Sequence, residues 1–113
     1  MTTNFVELRH QLVELSKQLG SKIPQTMAPF AQVHKNSLSN GVLPAKFKEL
    51  IALGISISCR CEGCIAFHTH DALKAGATPE EVQETIAVAV MMGGGPSVIY
   101  GCEAIAALNQ FQG

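Results

Sequence analysis

The chain has 113 residues, 47% of them hydrophobic, and a formal charge of −1 at neutral pH. That length suits one domain with its own core, residues 1–113. The lysines and arginines are scattered from Arg9 to Lys74 with none after, so no concentrated positive field exists to draw a phosphate backbone, and nucleic acid is excluded as an expected partner.

The first ten residues carry no apolar run of the kind a secretory signal needs, so the cysteines are expected to live in the reducing cytoplasm. Phe5, Leu8, Leu12, Leu15 and Leu19 recur at spacings of three or four and predict an amphipathic helix that Gly20 closes. Pro24 suits the first turn of a second helix running to about Ser37, with Pro29 forcing a kink or a later start. Asn40 and Gly41 make a turn, and Pro44 opens a third helix. Phe47, Leu50, Ile51, Leu53, Ile55 and Ile57 make this helix apolar on nearly every face, which predicts full burial. A fourth helix is expected from about Arg60 to Ala75, stopped by Gly76. Thr78, Pro79 and Glu81 form a capping box that starts a fifth helix reaching Met92.

Thr85 to Cys102 contains no charged residue, yet Gly93, Gly94, Gly95 and Pro96 cut it into two segments too short to span a membrane. Pro96 begins a last helix. No stretch alternates with period two, so the fold class is all-α, with about six helices. The last two helices are apolar around more of their circumference than one small subunit covers, which points to a homo-oligomer.

Cys61, Cys64 and His68 form one stripe on the fourth helix. Two chemistries fit that stripe. A pair of thiols three apart can close into a disulfide, with the imidazole taking a thiol proton. Three soft ligands can also hold zinc, with a fourth drawn from Cys59, Cys102, His34 or Glu49, although the chain has no second Cys-x-x-Cys pair. The macrodipole at the start of the helix favours a thiolate at Cys61, while the base at i+4 favours Cys64. Read alone, Glu49 is an exposed partner of Lys46 or Lys48. Cys59 and Cys102 read as small core hydrophobes, with Cys59 close enough to Cys61 for exchange. His70 points away from the stripe, His10 and His34 carry no motif, and Met91 and Met92 fill core or interface space. No Walker lysine follows the glycines, so they form a tight helix connection.

The pattern from Glu49 through Cys61 and Cys64 to His68 resembles the alkylhydroperoxidase AhpD family, within the carboxymuconolactone decarboxylase superfamily. The stretches Lys48 to Leu53, Cys64 to His68 and Ala72 to Glu81 carry the same likeness. The resemblance implies an all-α subunit in trimers or hexamers that reduces hydroperoxides or disulfides without a cofactor. It implies that Cys64 attacks the peroxide, that Cys61 resolves the sulfenic acid, and that His68 and Glu49 relay the proton. It also implies a dithiol reductant, such as a lipoyl-bearing protein. AhpD has a histidine immediately before the second cysteine, and this chain has Gly63 there.

Overall fold

The computed structural model describes residues 2–113, and among these the regular elements are six α-helices. They are α1 (Phe5–Lys22), α2 (Pro24–Leu38), α3 (Ala45–Ser58), α4 (Glu62–Lys74), α5 (Pro79–Gly93) and α6 (Gly95–Gln112). The all-α class is therefore as the periodicity predicts. Helices α3, α4, α5 and α6 pack on one another around Leu53, Ile57, Ile65, Val82 and Leu108, with Phe5 of α1 buried in the same core. Gln110 of α6 anchors the start of α1. Its Oε1 accepts from Phe5 N–H at 2.6 Å, and its Nε2 donates to the Thr3 carbonyl at 3.0 Å.

Helix α1 does not stop at Gly20. It continues to Lys22, and Ile23 serves as the joint between α1 and α2. Proline is the physical reason. Pro24 has no N–H for the carbonyl of Gly20 and disfavours helical geometry in the residue before it, and Ile23 sits at φ −131°, ψ 59°. Helix α2 then runs unbroken past Pro29. None of its residues is buried, and Phe30 and Val33 are 59% and 58% exposed.

Full burial of α3 is likewise corrected. Leu50, Leu53 and Ile57 face the core, while Phe47, Ile51 and Ile55, four apart, stay exposed. They line an open apolar groove of about 690 Å³ against Val88 and Met92 of α5. The expected capping box is in place, with Glu81 N–H donating to Thr78 Oγ1 at 3.1 Å and Thr78 N–H donating to Glu81 Oε1 at 2.8 Å. That backbone bond and the Lys46 ammonium hold the Glu81 carboxyl below its usual range.

The α3–α4 junction positions the cysteines. Arg60 N–H donates to the Ile57 carbonyl and Cys61 N–H to the Ser56 carbonyl, both at 3.1 Å, with Arg60 in the left-handed region at φ 56°. This is a Schellman turn with arginine where glycine is usual. Gly76 (φ 99°) closes α4 in the same way, as its sequence position predicts.

Candidate active site

Cys61 has two structural roles. It is the last residue of the Schellman turn that ends α3 and the N-cap of α4, with its Sγ accepting from Cys64 N–H at 3.1 Å. Helix α4 thus starts at Glu62, two residues later than the sequence suggests, and Cys61 lies just outside it. The reason is the left-handed backbone at Arg60, which interrupts helical geometry between α3 and α4. Cys64 occupies the third helical position, and a disulfide joins the two sulfurs across a Cα–Cα distance of 5.1 Å. Both cysteines are half-buried. The N-terminal end of α4 is directed at the Cys61 sulfur.

His68 follows one turn after Cys64. Its Nδ1 lies 2.9 Å from Glu49 Oε1, and Glu49 is only 6% exposed. A carboxylate can only accept, so Nδ1 carries the hydrogen and Nε2 is left to exchange a proton with a thiol or water. The exposed position that local sequence suggests for Glu49 is therefore corrected. Lys46 instead pairs with Glu81 at 3.0 Å, and Lys48 donates to the Ser39 carbonyl at 2.7 Å. Glu49 is drawn inward because α3 packs along α4, and His68 satisfies its charge there.

Asp71 also reaches this cluster. Ligand atoms of Glu49, His68 and Asp71 all lie within 4.8 Å of one another, a set that could hold a metal ion. Asp71 is three residues beyond His68, so helical spacing could have placed it on the stripe. It also pairs with His70 Nδ1 at 2.8 Å, and the His70 ring meets the edge of Phe111 at 5.4 Å. His34 of α2 stacks on His68, with ring centroids 6.4 Å apart and planes 19° from parallel. No sequence spacing signals that contact, since the two residues stand on separate helices.

A second acidic pair adjoins Cys61. Glu62 begins α4, and its Oε2 accepts from the Thr3 hydroxyl at 3.2 Å. Glu103 of α6 is 9% exposed. Burial, together with a hydrogen bond and repulsion from Glu62, raises its carboxyl from 4.5 to about 7. Nothing in the sequence separates Glu103 from a surface glutamate. Cys59 and Cys102 are both exposed, which overturns their expected place in the core. Cys59 caps the solvent-facing end of α3, and Cys102 lies on a side of α6 that no other helix of the chain covers.

A Cβ at Gly63 would stand 2.8 Å from Leu12 Cδ1, the tip of a flexible side chain of α1 that would have to shift to admit a larger residue.

The family model described as the carboxymuconolactone decarboxylase family matches residues 24–107. An uncharacterized protein of Cupriavidus necator is 39% identical over 109 residues, covering 94% of each chain. A carboxymuconolactone decarboxylase family protein from Legionella pneumophila, solved in its apo form, superposes with a TM-score of 0.92 at 35% identity. That match covers 96% of this chain and 97% of the other. A Thermotoga maritima protein, described as a family member with a suggested involvement in antioxidative response, gives a TM-score of 0.81 at 27% identity over 90% of each chain.

Proposed function

The chain belongs to the carboxymuconolactone decarboxylase family, and from that premise we propose that it is a thiol-dependent hydroperoxide reductase working through Cys61 and Cys64. The observation that carries this reading is a cysteine pair at the start of a helix with a half-buried imidazole, one turn further on, held by a buried carboxylate. The antioxidative association described for the Thermotoga relative agrees with it.

In the reduced enzyme the Cys64 thiol gives its proton to His68, and Glu49 stabilises the imidazolium. The Cys64 thiolate attacks one peroxide oxygen and the O–O bond breaks. The departing alkoxide takes the proton from His68 and leaves as the alcohol. Two electrons have passed from sulfur to peroxide, and Cys64 is a sulfenic acid. Cys61 then attacks that sulfur, the S–S bond forms, and the hydroxyl leaves as water with the proton that Cys61 gives up. A dithiol of the lipoyl class reduces the disulfide. Its two electrons pass to Cys61 and Cys64, which take up two protons while the dithiol gives up two and becomes a disulfide itself. With a disulfide in place of the peroxide, the Cys64 thiolate forms a mixed disulfide and releases one substrate thiol, Cys61 displaces the other as the Cys61–Cys64 bond closes, and the same reductive half-reaction completes a disulfide reductase cycle.

The exposed apolar side chains of the α3–α5 groove support assembly into a homotrimer or homohexamer. No helix among the described residues is long and apolar enough to cross a membrane, and a reducing cytoplasm is the setting that would keep the cycle supplied with dithiol.

Turnover of an organic hydroperoxide with dihydrolipoamide tests the reading. Cys64→Ser should abolish it, and Cys61→Ser should stall after a single sulfenic acid forms. Full activity in Cys64→Ser would refute the proposal.

A further inference from the structure

The reductive half of the cycle has to move protons between bulk water and a pair that is shielded from it. Glu49 is 6% exposed and the His68 side chain 17%. Each disulfide reduced requires two protons at the cysteine sulfurs, and an incoming dithiol that reacts as a thiolate has already lost one to solvent. His68 can supply Cys64 only if it is itself reprotonated.

His34 is placed to reprotonate it. Its ring stacks on that of His68 at a centroid separation of 6.4 Å and an interplanar angle of 19°. It stands on α2, a helix without a buried residue, and is itself exposed to solvent. Two nitrogen atoms joined through one bridging water stand about 5 to 5.5 Å apart, a separation of the same order as the 6.4 Å between the ring centroids. Imidazole is also the side chain that exchanges protons readily near neutral pH. The other ring nitrogen of His68 is occupied by Glu49, which fixes the ring and leaves one nitrogen for exchange.

We propose that His34 is the outer proton-shuttling residue of this site, carrying protons between solvent and the buried His68–Glu49 pair through a bridging water. A proton leaves the His34 imidazolium for that water as the water passes one to His68. His34 becomes neutral and recovers its proton from buffer. No electron moves through His34. The proposal rests on the hydroperoxide reductase reading and adds to it a residue from a helix outside the family of contacts that hold the cysteines.

The test is steady-state turnover of tert-butyl hydroperoxide with dihydrolipoamide, comparing the wild-type protein with His34→Ala and His34→Gln. Lys35→Ala, the neighbouring position on α2, is the control. Both His34 variants should lose about 100-fold in kcat, the lower end of what a positioned proton-transfer group contributes, with KM for the hydroperoxide unchanged. Added imidazole should restore His34→Ala in a saturable way and leave the wild type and Lys35→Ala unaffected. A structural loss would not respond to imidazole. Activity in His34→Ala within twofold of wild type, or a loss that imidazole does not restore, would overturn the role of His34 and leave the peroxidase reading standing. A wild-type protein that turns over no hydroperoxide would overturn that reading and the shuttle with it.

Discussion

Replacing Glu103 with glutamine should make the protein more stable at neutral pH and above. Glu103 is buried against Glu62, and its carboxyl is raised from 4.5 to about 7. Below pH 4.5 both the folded and the unfolded chain hold that proton. Between pH 4.5 and 7 the unfolded chain releases it while the folded chain keeps it, so the unfolded state binds fewer protons and stability falls as pH rises. At about 1.4 kcal/mol for each pH unit, the interval from 4.5 to about 7 corresponds to roughly 3 kcal/mol lost by neutral pH. Glutamine keeps the shape, can donate to Glu62, and has no proton to lose. Glu103→Gln should therefore match the wild type near pH 4.5 and exceed it by roughly 3 kcal/mol at pH 8. Urea unfolding followed by circular dichroism, at fixed protein concentration and with the disulfide intact, measures the difference at each pH. With a slope of about 1.5 kcal/mol per M, the midpoint at pH 8 should move upward by about 2 M urea. A difference that does not change with pH, or a variant less stable throughout, would refute the reasoning.

Glu49→Gln removes the charge that stabilises the His68 imidazolium while keeping its size, so turnover should fall by about 100-fold with the melting temperature little changed; kinetics and calorimetry check both. Arg60→Gly relieves a side chain held at φ 56° and should raise unfolding stability by about 0.5–1 kcal/mol, measured by urea unfolding with the disulfide kept. Thr78→Ala deletes the hydroxyl half of the capping box and should cost about 1 kcal/mol in the same assay. On the proposed assembly, wild-type protein should sediment as a trimer or hexamer in analytical ultracentrifugation, and Ile51→Lys with Ile55→Lys, which places charge on the exposed α3 stripe, should sediment as a monomer.

The features readable from sequence are those that local physics determines. The capping box at Thr78 and the stop at Gly76 follow from hydrogen-bond and φ preferences within a few residues, and the one-turn step from Cys64 to His68 follows from helical spacing, whereas Cys61 stands outside that helix as its N-cap. What escaped depends on which helices meet. Glu49 looks like a partner for nearby lysines until α3 packs on α4 and buries it against His68. His34 acquires a neighbour only because α2 brings it alongside that ring. Arg60 gives no warning of a left-handed backbone, because the Schellman turn there is imposed by two helices ending and starting within four residues. Apolar residues on every face of α3 predict burial but not by what, and the subunit alone covers only one side.

The most direct test of the central claim starts from reduced, metal-free protein treated with a stoichiometric amount of organic hydroperoxide, followed by differential alkylation and mass spectrometry of all four cysteines. Rapid formation of a Cys61–Cys64 disulfide that dihydrolipoamide reverses, with Cys59 and Cys102 remaining alkylatable, is the predicted result. Cysteines 61 and 64 that stay reduced, or oxidation spread evenly over all four, would contradict the account.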